Sequence, residues 1–435
     1  MFHLLSKMRL PSAVAHLQTL LWLGLSCISW QLNAASLTLE SAWQIAEQNS
    51  PDLKRITSNR FAVEGELQDA RAPLYNNPVV NFEGRRRSIY EQGRSDPQRS
   101  EWGGGIAQTF EVAGQQGYRR QAAANRRDEL EQQIAETHRS VRAQVEEQFV
   151  NVLAIQRRIE TEQRTLELIE RNTSLSRKRV SAGEDSKLDG NLAIVDAERA
   201  RNQLSFQQEQ LTRARADLAA SLQLPPPELP EVSGSIPPAP LNYTLDDLLR
   251  SVESRPAIKA LSFRENSARS RLDLERSLRY PDLTVSLNNS REAGIVGDDN
   301  ITTVGISLPI PLFRRNGAGI GRATSELTQV EVDRTVVTRD SKALIQSAWL
   351  RRQNLQERFD RLNREVYPKL EENLRLSMLG FQNGEIGLPQ LLIVQRQTID
   401  AQRDVVEAER DLRLTQIELE YAAGWPVTFP TVNKE

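Results

Sequence analysis

With 435 residues, of which 39% are hydrophobic and 26% charged, the chain is long enough for two or three globular domains or for one elongated body. Aromatic residues make up only 6% of it, which is low for a large packed core and is typical of long helices. The formal net charge is −2, so no general positive field attracts nucleic acid, and we expect no nucleic-acid partner.

Residues 1–35 have the pattern of a secretory signal peptide. A basic start with Lys7 and Arg9 precedes an apolar stretch over 17–30, and the segment ends on two alanines. Cys27 is the only cysteine of the chain, and lipoprotein processing at this residue is the alternative interpretation. We therefore expect export across the inner membrane.

Beyond the signal peptide, the sequence offers little chemistry for a metal or redox site. It holds no cysteine, one histidine (His138) and one methionine (Met378), which excludes disulfides and any Cys, His or Met cluster with metal-ligand spacing. Acidic pairs at helical spacing occur throughout and single out no general acid or base. We predict no cofactor, no metal site and no catalytic residue. No later run of 18 apolar residues predicts a membrane-spanning helix.

The chain after residue 35 alternates between helical and strand patterns. The predicted elements are a helix over 39–72, strands over 77–87 and 101–112 around a polar loop at 88–100, a long helix over 121–179 and a shorter helix over 188–224. Apolar residues recur in the long helix at seven-residue intervals, as at Val145, Val152 and Ile159, and its length is roughly 90 Å.

Residues 225–240 hold seven prolines and predict a stiff, extended linker. The same order of elements then returns: a helix over 245–279, strands over 283–289 and 301–310 around a loop at 292–300, a long helix over 321–382 and a shorter helix over 388–423. A period of about 200 residues indicates a duplication rather than a solenoid. The predicted units are a first repeat over 36–224, the linker, a second repeat over 241–424 and a tail over 425–435.

Each long helix ends in a Gly-Glu turn that reverses the chain. Gly183-Glu184 in the first repeat precedes Gly384-Glu385 in the second by 201 positions. From Leu391 onward two apolar series step by seven residues, which predicts a coiled-coil seam. The predicted fold class is therefore mainly α with a small β part, built from two long helical hairpins and four strands.

The four strands are each about ten residues long, which is enough to cross an outer membrane. Four strands do not close a barrel, and open edges do not face lipid. Two chains would give eight strands and a filled barrel, whereas three would give twelve strands and a lumen. We expect a trimer.

Four motifs resemble the TolC family of outer membrane efflux ducts, closest to its CzcC-like branch in heavy-metal export. The first, Ile306-Ser-Leu-Pro-Ile-Pro-Leu-Phe-Arg-Arg-Asn316, leads from a strand towards a long helix, and its repeat counterpart begins at Ile106. The other two are the tip sequences Arg179-Val-Ser-Ala-Gly-Glu and Phe381-Gln-Asn-Gly-Glu. The resemblance covers essentially all of 36–424.

This resemblance implies a homotrimer with a 12-stranded barrel in the outer membrane lipid and a helical tunnel in the periplasm of a Gram-negative bacterium. It also implies two partners, a periplasmic adaptor (membrane fusion) protein and an inner-membrane RND-type pump. One departure concerns the acidic residues that the family commonly carries near the start of its last helix. Gln390 and Ile393 stand there in this chain.

The tips supply the candidate site residues. The residues assigned to adaptor docking are Gly183, Glu184, Leu188, Gly384, Glu385 and Leu388. Those that could rim a pore mouth, because rings of carboxylates select cations, are Glu184, Asp185, Asp189 and Glu385. The alternatives are structural: glycines that allow a left-handed turn, solvated turn acids, and leucines in the core of the first helical turn. For Arg85, Arg86 and Arg87, together with Arg94 and Arg99, the alternatives are binding of lipopolysaccharide phosphates and a solvated loop.

We therefore predict a passive outer membrane channel with no catalytic activity. The resemblance alone suggests divalent metal cations as its substrates. Drugs or other organic compounds are the alternative within this class, and a periplasmic coiled-coil scaffold is the alternative outside it.

Overall fold

A computed structural model describes residues 36–88, 99–236, 242–293 and 297–425. The predicted signal peptide with Cys27, most of the predicted loop at 88–100 and all but Trp425 of the predicted tail lie outside these residues. The described helices are α1 (Leu39–Asn49), α2 (Pro51–Arg71), α3 (Gln115–Ala182), α4 (Lys187–Leu222), α5 (Leu245–Ser251), α6 (Pro256–Ser277), α7 (Gly317–Arg361), α8 (Tyr367–Gln382) and α9 (Leu388–Ala423). The strands are β1 (Val79–Arg87), β2 (Arg99–Phe110), β3 (Leu283–Ala293) and β4 (Asp298–Ser307).

Two helices that we predicted as continuous are each broken near their start. In the first repeat Ser50 lies between α1 and α2, and its side chain accepts a hydrogen bond from the N–H of Leu53. In the second a 3₁₀ turn over Val252–Ser254 separates α5 from α6. Pro51 and Pro256 are the first residues of the following helices. Because proline lacks an N–H and disfavours helical backbone before it, each break falls at a proline.

The two long helices also differ. Helix α3 runs unbroken for 68 residues, which is roughly 100 Å. Its counterpart is divided into α7 and α8 by a π-helical turn over Leu362–Val366. Pro368 lies two residues after this turn. Because proline has no N–H to donate to the carbonyl one turn back, the wider π turn accommodates the missing hydrogen bond. The predicted uninterrupted helix over 321–382 was wrong at this point.

The strands form one antiparallel sheet in the order β1-β2-β3-β4. The register aligns Val80 with Ile106, Ile106 with Leu287 and Leu287 with Val304, so apolar residues of all four strands share a face. The opposite face is mostly polar and small, although Val79 and Ile301 also lie on it. Its polar and small residues include Asn81, Glu83, Gly103, Gly105, Ser286, Asn288, Ser290, Thr303 and Gly305. The sheet therefore has one side suited to lipid and one suited to water.

The helices pack side by side in two tiers. Nearer the sheet their order is α2-α3-α6-α7, and nearer the tips it is α4-α3-α9-α8. The largest core cluster lies midway along α3, where Val145, Phe149 and Val152 pack against α1, α4 and the linker. There Leu37 forms a parallel bridge with Val232. In α9 the predicted seam is buried, since Leu391, Leu412 and Leu419 are fully inaccessible.

Among the helices of the described residues, none combines the length and the apolar character needed to cross a bilayer.

Candidate docking tips and pore mouth

The two tips have the same backbone turn. Gly183 and Gly384 both have φ of +78°, in the left-handed region that favours glycine. In the first tip the N–H of Gly183 donates to the carbonyl of Val180 at 3.1 Å, and in the second that of Gly384 donates to the carbonyl of Phe381 at 3.1 Å. A Cβ atom added to either glycine would meet no atom within 4 Å. The glycines are therefore required by conformation and not by crowding.

Arg179 ties the two tips together, a role that we did not predict. Its Nη1 donates to the backbone carbonyl of Phe381 at 2.9 Å, and its guanidinium lies over the Phe381 ring, 5.0 Å from the centroid. Its Nε also donates to Asp185 at 3.2 Å. The repeat-equivalent position holds Gly380, which is buried, so this arginine belongs to the first tip alone. That exchange of Arg for Gly was the available sequence signal.

The four predicted pore-mouth acids fall into two groups. The side chain of Asp185 is only 12% exposed and pairs with Arg179, while Asp189 forms a capping box with Ser186 at the start of α4. These two carboxylates serve the local fold. Glu184, whose side chain is 62% exposed, and Glu385, also exposed, remain accessible. Each tip thus presents one accessible glutamate.

The two predicted docking leucines have different surroundings. Leu188, in the first turn of α4, is 67% exposed, whereas Leu388 is 2% exposed and packs with Phe381, Leu391 and Ala193. Leu388 fits the core alternative given for it. Gln390 and Ile393, where the family pattern has acids, are both exposed.

Above the tips, polar contacts join the two hairpins across the α3–α9 interface. Arg403 binds Glu162 through two hydrogen bonds of 2.7 Å each, and the Glu162 side chain is only 1% exposed. These hydrogen bonds raise the pKa of Arg403 despite its partial burial. One level closer to the tip, Asn172 donates to Gln395 at 3.3 Å. The hairpins are therefore held in a fixed register by charge as well as by apolar packing.

At the far end of the molecule, a concave pocket of about 270 Å³ lies against the sheet. Its lining includes Asn81, Glu83, Glu101, Asn288 and Thr303, all from the polar face. A Cβ atom at Gly105 would lie 1.9 Å from the Asn288 side chain, so glycine is what lets that amide lie flat over the sheet. A polar lining of this kind is suited to a water-filled lumen.

The register also separates the three consecutive arginines. Arg85 and Arg87 lie on the polar face and approach the buried carboxylate of Glu101 at 4.0 and 3.3 Å, and Arg86 faces the other way. His138 contacts Glu47 at 3.6 Å. Within the described part of the chain, no group of three or more His, Cys, Asp or Glu side chains is arranged to hold a metal ion.

Comparison with known proteins gives consistent results. A family model for outer membrane efflux proteins matches residues 42–222 and 249–425. The cobalt-zinc-cadmium resistance protein CzcC of Cupriavidus metallidurans is 26% identical over 372 residues, which is 85% of each chain.

Two solved structures share the fold. VceC, an outer membrane protein of Vibrio cholerae, superposes with a TM-score of 0.73 at 17% identity, covering 89% of this chain and 96% of its own. The CmeC outer membrane channel of Campylobacter jejuni gives 0.74 at 12% identity, covering 91% and 87%. A 12-stranded barrel completed by three such chains is consistent with these neighbours.

Proposed function

The chain belongs to the outer membrane efflux protein family, and on this premise we propose that it passively conducts divalent metal cations to the cell exterior, as the outer duct of a tripartite pump. It is a pore protein and not an enzyme. A periplasmic adaptor and an inner-membrane RND-type pump would deliver the cations.

The observation that carries the proposal is the sheet with two unlike faces and two unpaired edges. Its apolar face exposes Phe82, Val304 and Ile306 by 70% or more, while the opposite face is mostly amides, hydroxyls, charged groups and glycines. Edges left open in lipid are costly, so β4 of one copy pairing with β1 of the next supports closure by three copies. A periplasmic coiled-coil scaffold does not require a sheet with an exposed apolar face and two unpaired edges.

The substrate class rests on the relative named for cobalt, zinc and cadmium resistance. The exposed glutamates of the tips support it, since in a trimer they would place six carboxylates around the tunnel entrance and attract cations. In this proposal the pump, and not the duct, determines which metal is exported. Export of drugs or other organic compounds is the alternative outcome of the test.

Two measurements test the proposal. Cells that lack the gene should regain growth in zinc, cobalt or cadmium, and lose the accumulated metal, when the chain is expressed together with its adaptor and pump. Expression without the pump is the control and should restore neither. Restored resistance to organic compounds alone would overturn the metal assignment. A soluble periplasmic dimer, in place of heat- and SDS-resistant trimers in the outer membrane fraction, would overturn the duct.

A further inference from the structure

The two junctions where a strand leads into a long helix are equivalent in the repeats but differ in length. In each, the residue before the helix has left-handed backbone, with φ of +78° at Gly114 and +52° at Asn316. Gly114 lies eight positions after Ile106 of β2, whereas Asn316 lies ten positions after the matching Ile306 of β4. Aligned from the strands, the two additional residues of the second junction are Arg314 and Arg315.

The second junction is also apolar and exposed. Leu308, Ile310 and Leu312 follow β4 at every second position, and Phe313 comes next. Leu312 is 68% exposed and Phe313 95%, and the other two are exposed as well. These residues extend the alternating apolar series of β4, which lies on the face suited to lipid, beyond the end of the strand. An exposed apolar segment therefore connects the sheet to α7.

A groove of about 1370 Å³ opens at this second junction, and we call it the junction groove. Its lining comes from residues 278–281, which precede β3, and from residues 310–318, which follow β4. Apolar side chains, among them Tyr280, Leu312 and Phe313, alternate there with three arginines. The lining includes no Asp or Glu. The groove is therefore both apolar and positively charged.

The three arginines of the groove are Arg279, Arg314 and Arg315. All are exposed, and their guanidinium groups have no hydrogen-bond or ion-pair partner among the residues that the structure describes. Glu275, one turn before Arg279, is instead bound by the side-chain amide of Asn316 at 2.5 Å. Three positive charges are therefore left without a compensating carboxylate.

The first junction lacks this arrangement. Its Arg119 pairs with Glu111 at 2.8 Å and lies over the ring of Tyr75, 3.5 Å from the centroid. Both side chains of this ion pair are largely buried. The arginine of the first junction thus serves the fold, whereas those of the junction groove are free to bind an external anion.

A neighbouring copy in a barrel would not bury the second junction. Within the chain, β3 enters beside the first junction, where Gln115 donates to Asp282 at 3.2 Å. Val112 is the counterpart of Leu312, counted from the strand, and it stays 59% exposed despite this neighbour. A β1 strand pairing with β4 would enter in the same way. We therefore expect the junction groove to remain open to its surroundings in the assembled duct.

The chemistry of the groove favours a lipid headgroup. Guanidinium groups bind phosphate oxygens through paired hydrogen bonds, and basic residues at a membrane surface attract anionic lipids. The apolar residues beside them suit acyl chains rather than water. The groove lies at the end of the sheet from which the helices extend, which is the periplasmic rim of the proposed barrel. Glycerophospholipids form that leaflet of an outer membrane, while lipopolysaccharide forms the opposite one.

We propose that the junction groove binds an anionic glycerophospholipid of the inner leaflet, one for each chain. Arg279, Arg314 and Arg315 hold its headgroup phosphate, and Leu312 and Phe313 lie along its acyl chains. The inference rests on the proposed outer membrane duct and goes beyond it, because it assigns a lipid ligand to the periplasmic rim of the barrel. Such a ligand would hold the strand-to-helix junction at the membrane surface.

Lipid binding to the purified full-length trimer tests the proposal. The trimer, in a neutral detergent, is titrated with phosphatidylglycerol or with phosphatidylcholine of the same acyl chains, and bound lipids are counted by native mass spectrometry. One phosphatidylglycerol per chain should bind tightly, and phosphatidylcholine should bind more weakly. The variant Arg279→Gln/Arg314→Gln/Arg315→Gln should lower the affinity for phosphatidylglycerol by about tenfold or more, because each arginine adds to the attraction. These side chains form no ion pair in the fold, so trimers should persist.

The matched control removes three exposed arginines elsewhere. Arg164→Gln/Arg177→Gln/Arg213→Gln takes the same charge from α3 and α4 and should leave the affinity unchanged. A further variant, Phe313→Ser, should weaken phosphatidylglycerol binding, since a lipid contacts the apolar side chain and a free phosphate does not.

Unchanged affinity in the groove variant, with trimers intact, would overturn the site. Equal binding of the two lipids by the parent would do the same, as would an equal loss in the control variant. Displacement of phosphatidylglycerol by millimolar inorganic phosphate would replace the lipid by a free anion and overturn the assignment. Each of these outcomes leaves the proposed duct standing. Absence of trimers from the unsubstituted protein would overturn the duct and this inference together.

Discussion

At the scale of single residues, the Glu162–Arg403 pair should respond unequally to loss of either partner. Arg403→Met leaves a carboxylate that is 1% exposed without its cation, which costs about 3–5 kcal/mol. Glu162→Gln should cost less, because the Arg403 side chain is 25% exposed and keeps Asp400 at 3.3 Å. Thermal unfolding of purified trimers measures both. Replacing both residues by Met should be milder than Arg403→Met, and equal losses from the two single variants would contradict the argument.

Glu47 should make the α1–α3 contact sensitive to acid. Burial alone would raise the pKa of Glu47, but hydrogen bonds and charge from His138 and Arg142 outweigh it and lower the pKa to about 2. A carboxyl group with a depressed folded pKa stabilises the fold above its unfolded value, here 4.5, and this contribution is lost as the pH falls towards 2. The melting temperature of Glu47→Gln should therefore fall less over this range than that of the parent. If the melting temperatures of the variant and the parent fell in parallel with pH, Glu47 would not contribute to the acid response.

His138 has a structural partner in Glu47, so a metal-binding role is not needed to explain it. His138→Gln should leave metal resistance unchanged, with at most a small loss of trimer stability. A clear loss of resistance with intact trimers would contradict passive conduction.

At the scale of elements, the two faces of β4 should differ in their tolerance of charge. Val304→Arg or Ile306→Arg places a cation on the apolar face, at a cost of about 2–4 kcal/mol per site near the bilayer midplane. Thr303→Arg, one residue away on the polar face, is the matched control. Trimer yield in outer membranes should fall sharply for the first two variants and stay near normal for the third. Normal yield from all three would mean that this strand does not face lipid.

The elements themselves were largely predictable, because periodicity reports which face of a helix or strand is buried. The seven-residue series of α9 and the strand alternation both appear in the structure, and the efflux-family resemblance is confirmed by the family match. What periodicity cannot report is local competition for hydrogen bonds. The Ser50–Pro51 break and the π turn before Pro368 depend on one missing N–H each. The adaptor and pore-mouth assignments of the tips, and the repeat boundaries, stay predictions.

The acidic residues of the tips also show what a local sequence pattern does not reveal. Glu184 and Asp185 are adjacent and chemically alike, and the Arg179 guanidinium that joins the two tips lies near both, 3.7 Å from Glu184 and 3.2 Å from Asp185. Only Asp185 accepts a hydrogen bond from it and is largely buried. Arg179 contacts Phe381, which lies 202 positions later in the sequence. No local pattern encodes such a contact, so the sequence alone did not separate a structural acid from an accessible one.

At the scale of the whole molecule, the strands proposed to form the barrel and the tips proposed to bind the adaptor lie at opposite ends of the long helices. A change at the tips should therefore leave trimer assembly undisturbed. Helix α3 spans roughly 100 Å between the sheet and the tips. The substitution Gly183→Val/Gly384→Val forces a β-branched residue into left-handed backbone at each tip, strained by roughly 1–2 kcal/mol per site. The strain is local, because a Cβ atom added at either position meets no other atom within 4 Å.

We therefore expect this double variant to form normal trimers in the outer membrane but to fail both in efflux and in crosslinking to the adaptor. The buried seam of α9 extends far beyond the tip turn and should keep the hairpins paired, so only the shape presented at the tips changes. Gly117→Val is the matched control, since Gly117 lies in ordinary helix at the opposite end of α3 with no atom near its added Cβ. It should leave efflux intact. Normal efflux from the double variant would make the Gly-Glu turns ordinary helix ends and move the docking surface elsewhere on the hairpins.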